Sequence, residues 1–78
     1  MPYKIIKTNY DPIHQMPVGE DEHFTGFASD EAATSKVKEM VAAASDHTYD
    51  YRSRYWFSRI DHPGELHEYF RYEIREDK

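Results

Sequence analysis

Arg52, Arg54, Trp56, Tyr69, Arg71 and Arg75 crowd into the C-terminal part of the chain, and their side chains suit recognition more than catalysis. A guanidinium is a planar fork that grips a carboxylate or phosphate with two hydrogen bonds and stacks on aromatic faces. Trp, Tyr and Arg are the residues over-represented in binding hot spots. All five arginines lie between Arg52 and Arg75, while every lysine except Lys78 lies before Ala42. Residues 1–48 hold four Lys against eight acidic residues, and residues 49–78 hold five Arg and one Lys against seven. The bland alternative is local stabilisation, with Trp56 and Arg71 in a cation–π pair and Arg54 and Glu73 in a cross-strand ion pair.

Glu20, Asp21 and Glu22 form an acidic triplet flanked by His23, with Asp11 upstream. Such a run can hold a cation or mimic phosphates, or it can be a solvated loop. It lacks the alternate-position oxygen ligands and Gly-mediated turn of a calcium loop. His14, His23, His47, His62 and His67 show neither HExxH nor paired zinc-site spacing. His62 and His67 flank a turn and could meet across it. No G-x-S-x-G motif is present, and the three glycines form no phosphate-cradling loop. The expectation is therefore no catalytic residue, no metal and no cofactor.

One stretch points towards an enzyme. Met1-Pro2-Tyr3-Lys4-Ile5-Ile6-Lys7-Thr8-Asn9 resembles the start of tautomerase-superfamily proteins. The resemblance implies an N-terminal proline nitrogen acting as general base at the end of a first β-strand, once Met1 is removed. It covers nine residues and then breaks. That family places a helix soon after the first strand, whereas here a Pro-rich acidic segment follows.

These side chains need elements to hold them. Tyr3 to Thr8 alternates as a strand, with Tyr3 and Ile5 on one face and Lys4 and Ile6 on the other. Asp11-Pro12 should end it, and residues 11–22 should form a long connection pinned by Ile13, Met16 and Val18. His23 to Ala28 is a short second strand, although simple alternation puts Phe24 and Phe27 on opposite faces. Asp30 to Ser45 is a helix. Ser29 or Asp30 caps it, Asp30-Glu31 complements its dipole, and Ala33, Val37, Met40, Val41 and Ala44 make an apolar stripe.

Tyr49 to Arg75 then reads as one hairpin turning at Pro63-Gly64. A turn centred there sets Phe57 opposite Phe70, Tyr55 opposite Tyr72 and Ser53 opposite Ile74 on a core face. Trp56 then faces Arg71, Arg54 faces Glu73, and Arg52 faces Arg75 on an outer one. The last pair opposes like charges, which an anionic partner would relieve, as would Asp50 or Glu76. A three-residue loop would instead move the register by one and exchange the faces of one strand.

The expected fold is α+β: a small antiparallel sheet in ββαββ order with one helix on one face. Its core should hold Ile5, Phe24 or Phe27, Val37, Met40, Val41, Tyr55, Phe57, Phe70, Tyr72 and Ile74. With 78 residues it is one domain, of a size that buries about 60% of its extended-chain surface. There is no cysteine, no secretory h-region and no apolar run near the ~20 residues of a membrane span, so a cytoplasmic location is expected.

One helix covers one sheet face. The other must be solvated, closed by a second copy as a homodimer, or covered by a partner. In size, acidity and lack of Cys the chain is similar to small phage-encoded inhibitors such as anti-CRISPR proteins and DNA mimics. That implies steric or electrostatic blockade of a larger protein or nucleoprotein complex through the Arg/Trp face or the acidic triplet. The alternative is single-stranded nucleic acid held by aromatics and arginines on the sheet. The formal charge of −5 weighs against it.

Overall fold

The computed structural model describes residues 2–77. Five strands and one helix follow one another as β1 (Tyr3–Asp11), β2 (Met16–Phe27), α1 (Asp30–Ala42), β3 (Asp46–Asp50), β4 (Tyr55–His62) and β5 (Leu66–Glu76). The strands form one antiparallel sheet in the order β2-β1-β5-β4-β3, so α1 carries the chain from one sheet edge to the other. The class is α+β, with one more strand than expected.

The extra strand comes from a turn inside the aromatic run. Asp50 accepts the Arg52 backbone N–H at 3.0 Å, and the Arg54 N–H donates to the Asp50 carbonyl at 2.8 Å. Residues 51–54 thus fold back, and Tyr49 to Ile60 is two strands instead of one.

The expected connection over residues 11–22 is likewise mostly strand. The Asp11 carboxylate accepts backbone N–H groups from Ile13 at 2.9 Å and His14 at 3.3 Å, which closes a tight turn over residues 12–15. β2 is an edge strand exposed over nearly its whole length, so burial imposes no alternation on it. Irregularities opposite Tyr3–Ile5 and Lys7–Asn9 blur the period further. The first of these has a consequence for the core. Lys4 lies between the Tyr3–Phe27 and Ile5–Phe24 pairs, facing two residues of β2, Thr25 and Gly26. With Gly26 at φ 89°, this bulge sets Phe24 and Phe27 on the same side, and both pack against the core.

The helix is capped as its sequence indicates: the Ser29 Oγ accepts the Ala32 N–H at 3.1 Å. It stops at Ala42, three residues earlier than expected, and the Ser45 N–H bonds to the Arg59 carbonyl at 2.9 Å. Ala33, Val37 and Val41 lie four apart on one face and are buried against Ile5 and Tyr72. Met40, Trp56, Phe70 and Ile74 pack around them.

The β4–β5 register differs by one from the expected one. The turn has three residues, Pro63, Gly64 and Glu65, with φ of 83° at Gly64 and 61° at Glu65. Trp56 therefore pairs with Tyr72, Phe57 with Arg71 and Ser58 with Phe70. The β5 residues keep their expected faces, and β4 is inverted. Trp56 turns to the helix side, while Tyr55 and Phe57 leave the expected core for the opposite face.

Candidate functional site

The helix-free face of the sheet gathers Ile6, Thr8 and Tyr10 from β1, Tyr55, Phe57 and Arg59 from β4, and Tyr69, Arg71, Glu73 and Arg75 from β5. Ile6 and Thr8 are buried even here. The Thr8 hydroxyl donates to the Asp21 carboxylate at 2.8 Å, which folds the β2 edge towards this face. The rings form a connected layer. Tyr10 meets Phe57 edge-on at 5.0 Å, and Tyr55 meets Phe57 edge-on at 6.3 Å. Tyr10 reaches Phe57 across β5, which lies between their strands, so the layer spans the middle of the sheet.

Arg71 lies at the centre, paired with Thr8 on one side and Phe57 on the other. Its guanidinium carbon stands 4.4 Å from the centroid of the Tyr55 ring. Its Nε is shielded from solvent and has no hydrogen-bond partner. No carboxylate comes within ion-pairing distance of it among the described residues. The neighbouring arginines are already engaged. Arg59 Nε bonds Asp61 at 2.9 Å, and Arg75 Nη2 bonds Glu73 at 2.9 Å. Arg71 is thus a half-buried cation, stacked on Tyr55 and without an ion-pair partner among the described residues.

Of the six residues singled out in the C-terminal third, Tyr69, Arg71 and Arg75 share this face. Trp56, Arg52 and Arg54 do not. Trp56 stacks at a tilt on Tyr49 at 4.7 Å beneath the helix, and Arg52 and Arg54 sit in the turn at the end of β3. The opposed Arg52–Arg75 pair does not occur: β5 reaches Arg75 opposite Lys4 of β1, and β4 begins only at Tyr55. The acidic triplet is strand instead of loop. Asp21 borders the open face through Thr8, Glu22 pairs with Lys7, and Glu20 lies with Asp21 in the irregular stretch between the Lys7–Glu22 and Asn9–Val18 pairs. Tyr10, Tyr55, Phe57 and Arg59 were missed, three of them because the inverted β4 register hid them. The signal was the Gly64-Glu65 end of the turn, a pattern suited to three-residue loops with positive φ.

Three of the five histidines face a carboxylate. His67 Nδ1 lies 2.6 Å from Asp61, His62 Nε2 2.5 Å from Glu68 and His14 Nδ1 2.6 Å from Asp11. His62 and His67 point to opposite sides of the sheet, so they do not meet across the turn. Partial desolvation pushes the Asp61 carboxyl up, but hydrogen bonds from Arg59 and His67 outweigh it and hold the group below the usual carboxylate range. Asp11 is lowered by His14, and Asp50 by the Arg52 N–H and the Ser53 hydroxyl. Among the described residues no cluster of three or more His, Asp or Glu side chains could hold a metal ion. Among the described residues no helix is long and apolar enough to cross a membrane. The Met1 end, on which a proline-base reading turns, lies outside the described residues. The segment after β1 is a strand and not the helix that the tautomerase resemblance implies. Comparison with protein-family models, with curated proteins and with solved structures finds no match to this chain.

Proposed function

We propose that this chain is a non-catalytic interaction module of the cytoplasm that docks the open face of its sheet onto a larger protein or nucleoprotein complex and blocks that surface. The observation that carries this reading is Arg71, whose guanidinium is stacked on Tyr55 and partly desolvated with no carboxylate beside it. Stacking on Tyr55 meets part of the ordering cost of a bound arginine in the free protein, and a preordered arginine is an effective anchor. Tyr10, Phe57 and Tyr69 provide aromatic area around it, and Asp21 and Glu73 are the acidic groups nearby. The similarity in size and charge to small phage inhibitors points to blockade as the mode of action.

A second reading has one specific observation behind it. Aromatic rings beside an unpaired arginine on a sheet face are also how single-stranded nucleic acid is held. The net charge of −5 and the acidic β2 edge oppose the long-range attraction such binding depends on. Affinity capture from a bacterial lysate, with and without nuclease, separates the two. One stoichiometric protein that survives nuclease is expected. Enrichment of nucleic acid, with all protein lost after nuclease, would transfer the face to the second reading.

A further inference from the structure

The helix does not cover the whole of its own sheet face. Beside α1, towards the β3–β4 turn, a groove of about 730 Å³ opens between helix and sheet. Its aromatic wall is Trp56, Tyr49 and Tyr3, and two cations, Lys38 of the helix and Arg54 of the turn, line it as well. Neither cation has a carboxylate within ion-pairing distance among the described residues. The one acidic residue in the groove, Asp30, accepts the Thr34 hydroxyl at 3.3 Å. The lining therefore carries a net positive charge on an otherwise acidic protein.

Two features indicate that the groove is ordered in advance. Tyr49 packs on Trp56 at 4.7 Å and meets Tyr51 edge-on at 5.2 Å. Arg54 adopts φ 61°, a left-handed conformation seldom taken by such a side chain, and its N–H is fixed to the Asp50 carbonyl at 2.8 Å. The turn thus fixes the Arg54 backbone beside the aromatic wall. The groove's volume falls within the roughly 300–1,000 Å³ of small-molecule sites, and it sets an aromatic wall beside charged groups.

We infer that the groove binds a planar aromatic anion of mononucleotide size, its ring against Trp56 and Tyr49 and its anionic group between Lys38 and Arg54. The groove lies on the opposite side of the sheet from Arg71, so this inference stands apart from the docking of the open face.

Trp56 is the only tryptophan in the chain, so its indole N–H gives one isolated NMR signal from inside the groove. The ligands to titrate are adenosine 5′-monophosphate and 1-naphthyl phosphate. Adenosine serves as a ring without charge, and inorganic phosphate as a charge without a ring. Saturable movement of the Trp56 signal is expected with at least one aromatic phosphate, at a Kd of about 1 mM or tighter. Adenosine and phosphate should each bind roughly tenfold more weakly. Arg54→Gly suits the positive φ and keeps the turn, and Lys38→Gln lies on the exposed side of the helix. The double variant should retain the wild-type spectrum and lose roughly tenfold in affinity. No movement with either aromatic phosphate, equal affinity for adenosine, or undiminished binding by the folded double variant would each overturn the assignment.

Discussion

Arg71 shows how one residue can be costly to the fold and useful for binding. A guanidinium whose Nε is desolvated without a hydrogen bond loses stabilisation that its stacking on Tyr55 only partly restores. Its neighbours Arg59 and Arg75 avoid that cost through Asp61 and Glu73. Carboxylates elsewhere do ordinary structural work, and their behaviour with pH can be stated. Asp11, Asp50 and Asp61 all have folded-state pKa values below those of the unfolded chain. Each contributes stability that is present above the unfolded value of about 3.9 and is lost as pH falls through the lower folded value. Thermal melts should show a Tm that falls on acidification below about pH 4. An Asp50→Asn variant should show a shallower fall over that window. A slope identical to wild type would remove Asp50 from the account.

At the scale of elements, local chemistry and tertiary register contribute separately. The helix start is local, and Ser29→Ala should cost about 1 kcal/mol in chemical denaturation by removing the acceptor for the Ala32 N–H. An unchanged midpoint would mean that the cap is replaced. Trp56 is a matter of register. Packed under α1 beside Tyr49, it should lose about 2 kcal/mol or more on replacement by Ala. With the opposite register Trp56 would stand on the outer face and its loss would scarcely affect the midpoint. The same contrast explains what could be read from the sequence. The β1 alternation, the Ser29 cap and the Ala33–Val37–Val41 stripe are each enforced by one strong local rule, and all were legible. The edge strand β2 was not, because exposure on both faces erases the period and Gly26 adds a bulge. The turn at residues 51–54 was hidden because Asp50 builds it from a side chain, without Gly or Pro. For the candidate site, Tyr69, Arg71 and Arg75 were legible because β5 kept its expected faces. Tyr55 and Phe57 were lost to a single extra turn residue.

The whole molecule is an elongated sheet of 43 × 23 × 23 Å with one helix laid across it. That leaves two unlike surfaces: a cation-lined groove beside the helix, and an aromatic layer with Arg71 at its centre on the reverse. An acidic protein of this size gains little from long-range attraction to nucleic acid, so affinity must come from short-range fit around a few anchors. The docking of the open face is tested most directly by comparing two single substitutions on it. Arg71→Gln removes the unpaired cation, and Arg75→Gln removes one already neutralised by Glu73. With equal amounts of folded protein on the resin, Arg71→Gln is expected to retain the nuclease-resistant partner at least roughly tenfold less well than wild type, and Arg75→Gln about as well as wild type. Equal retention by wild type and Arg71→Gln would contradict the assignment of that face as the site of docking.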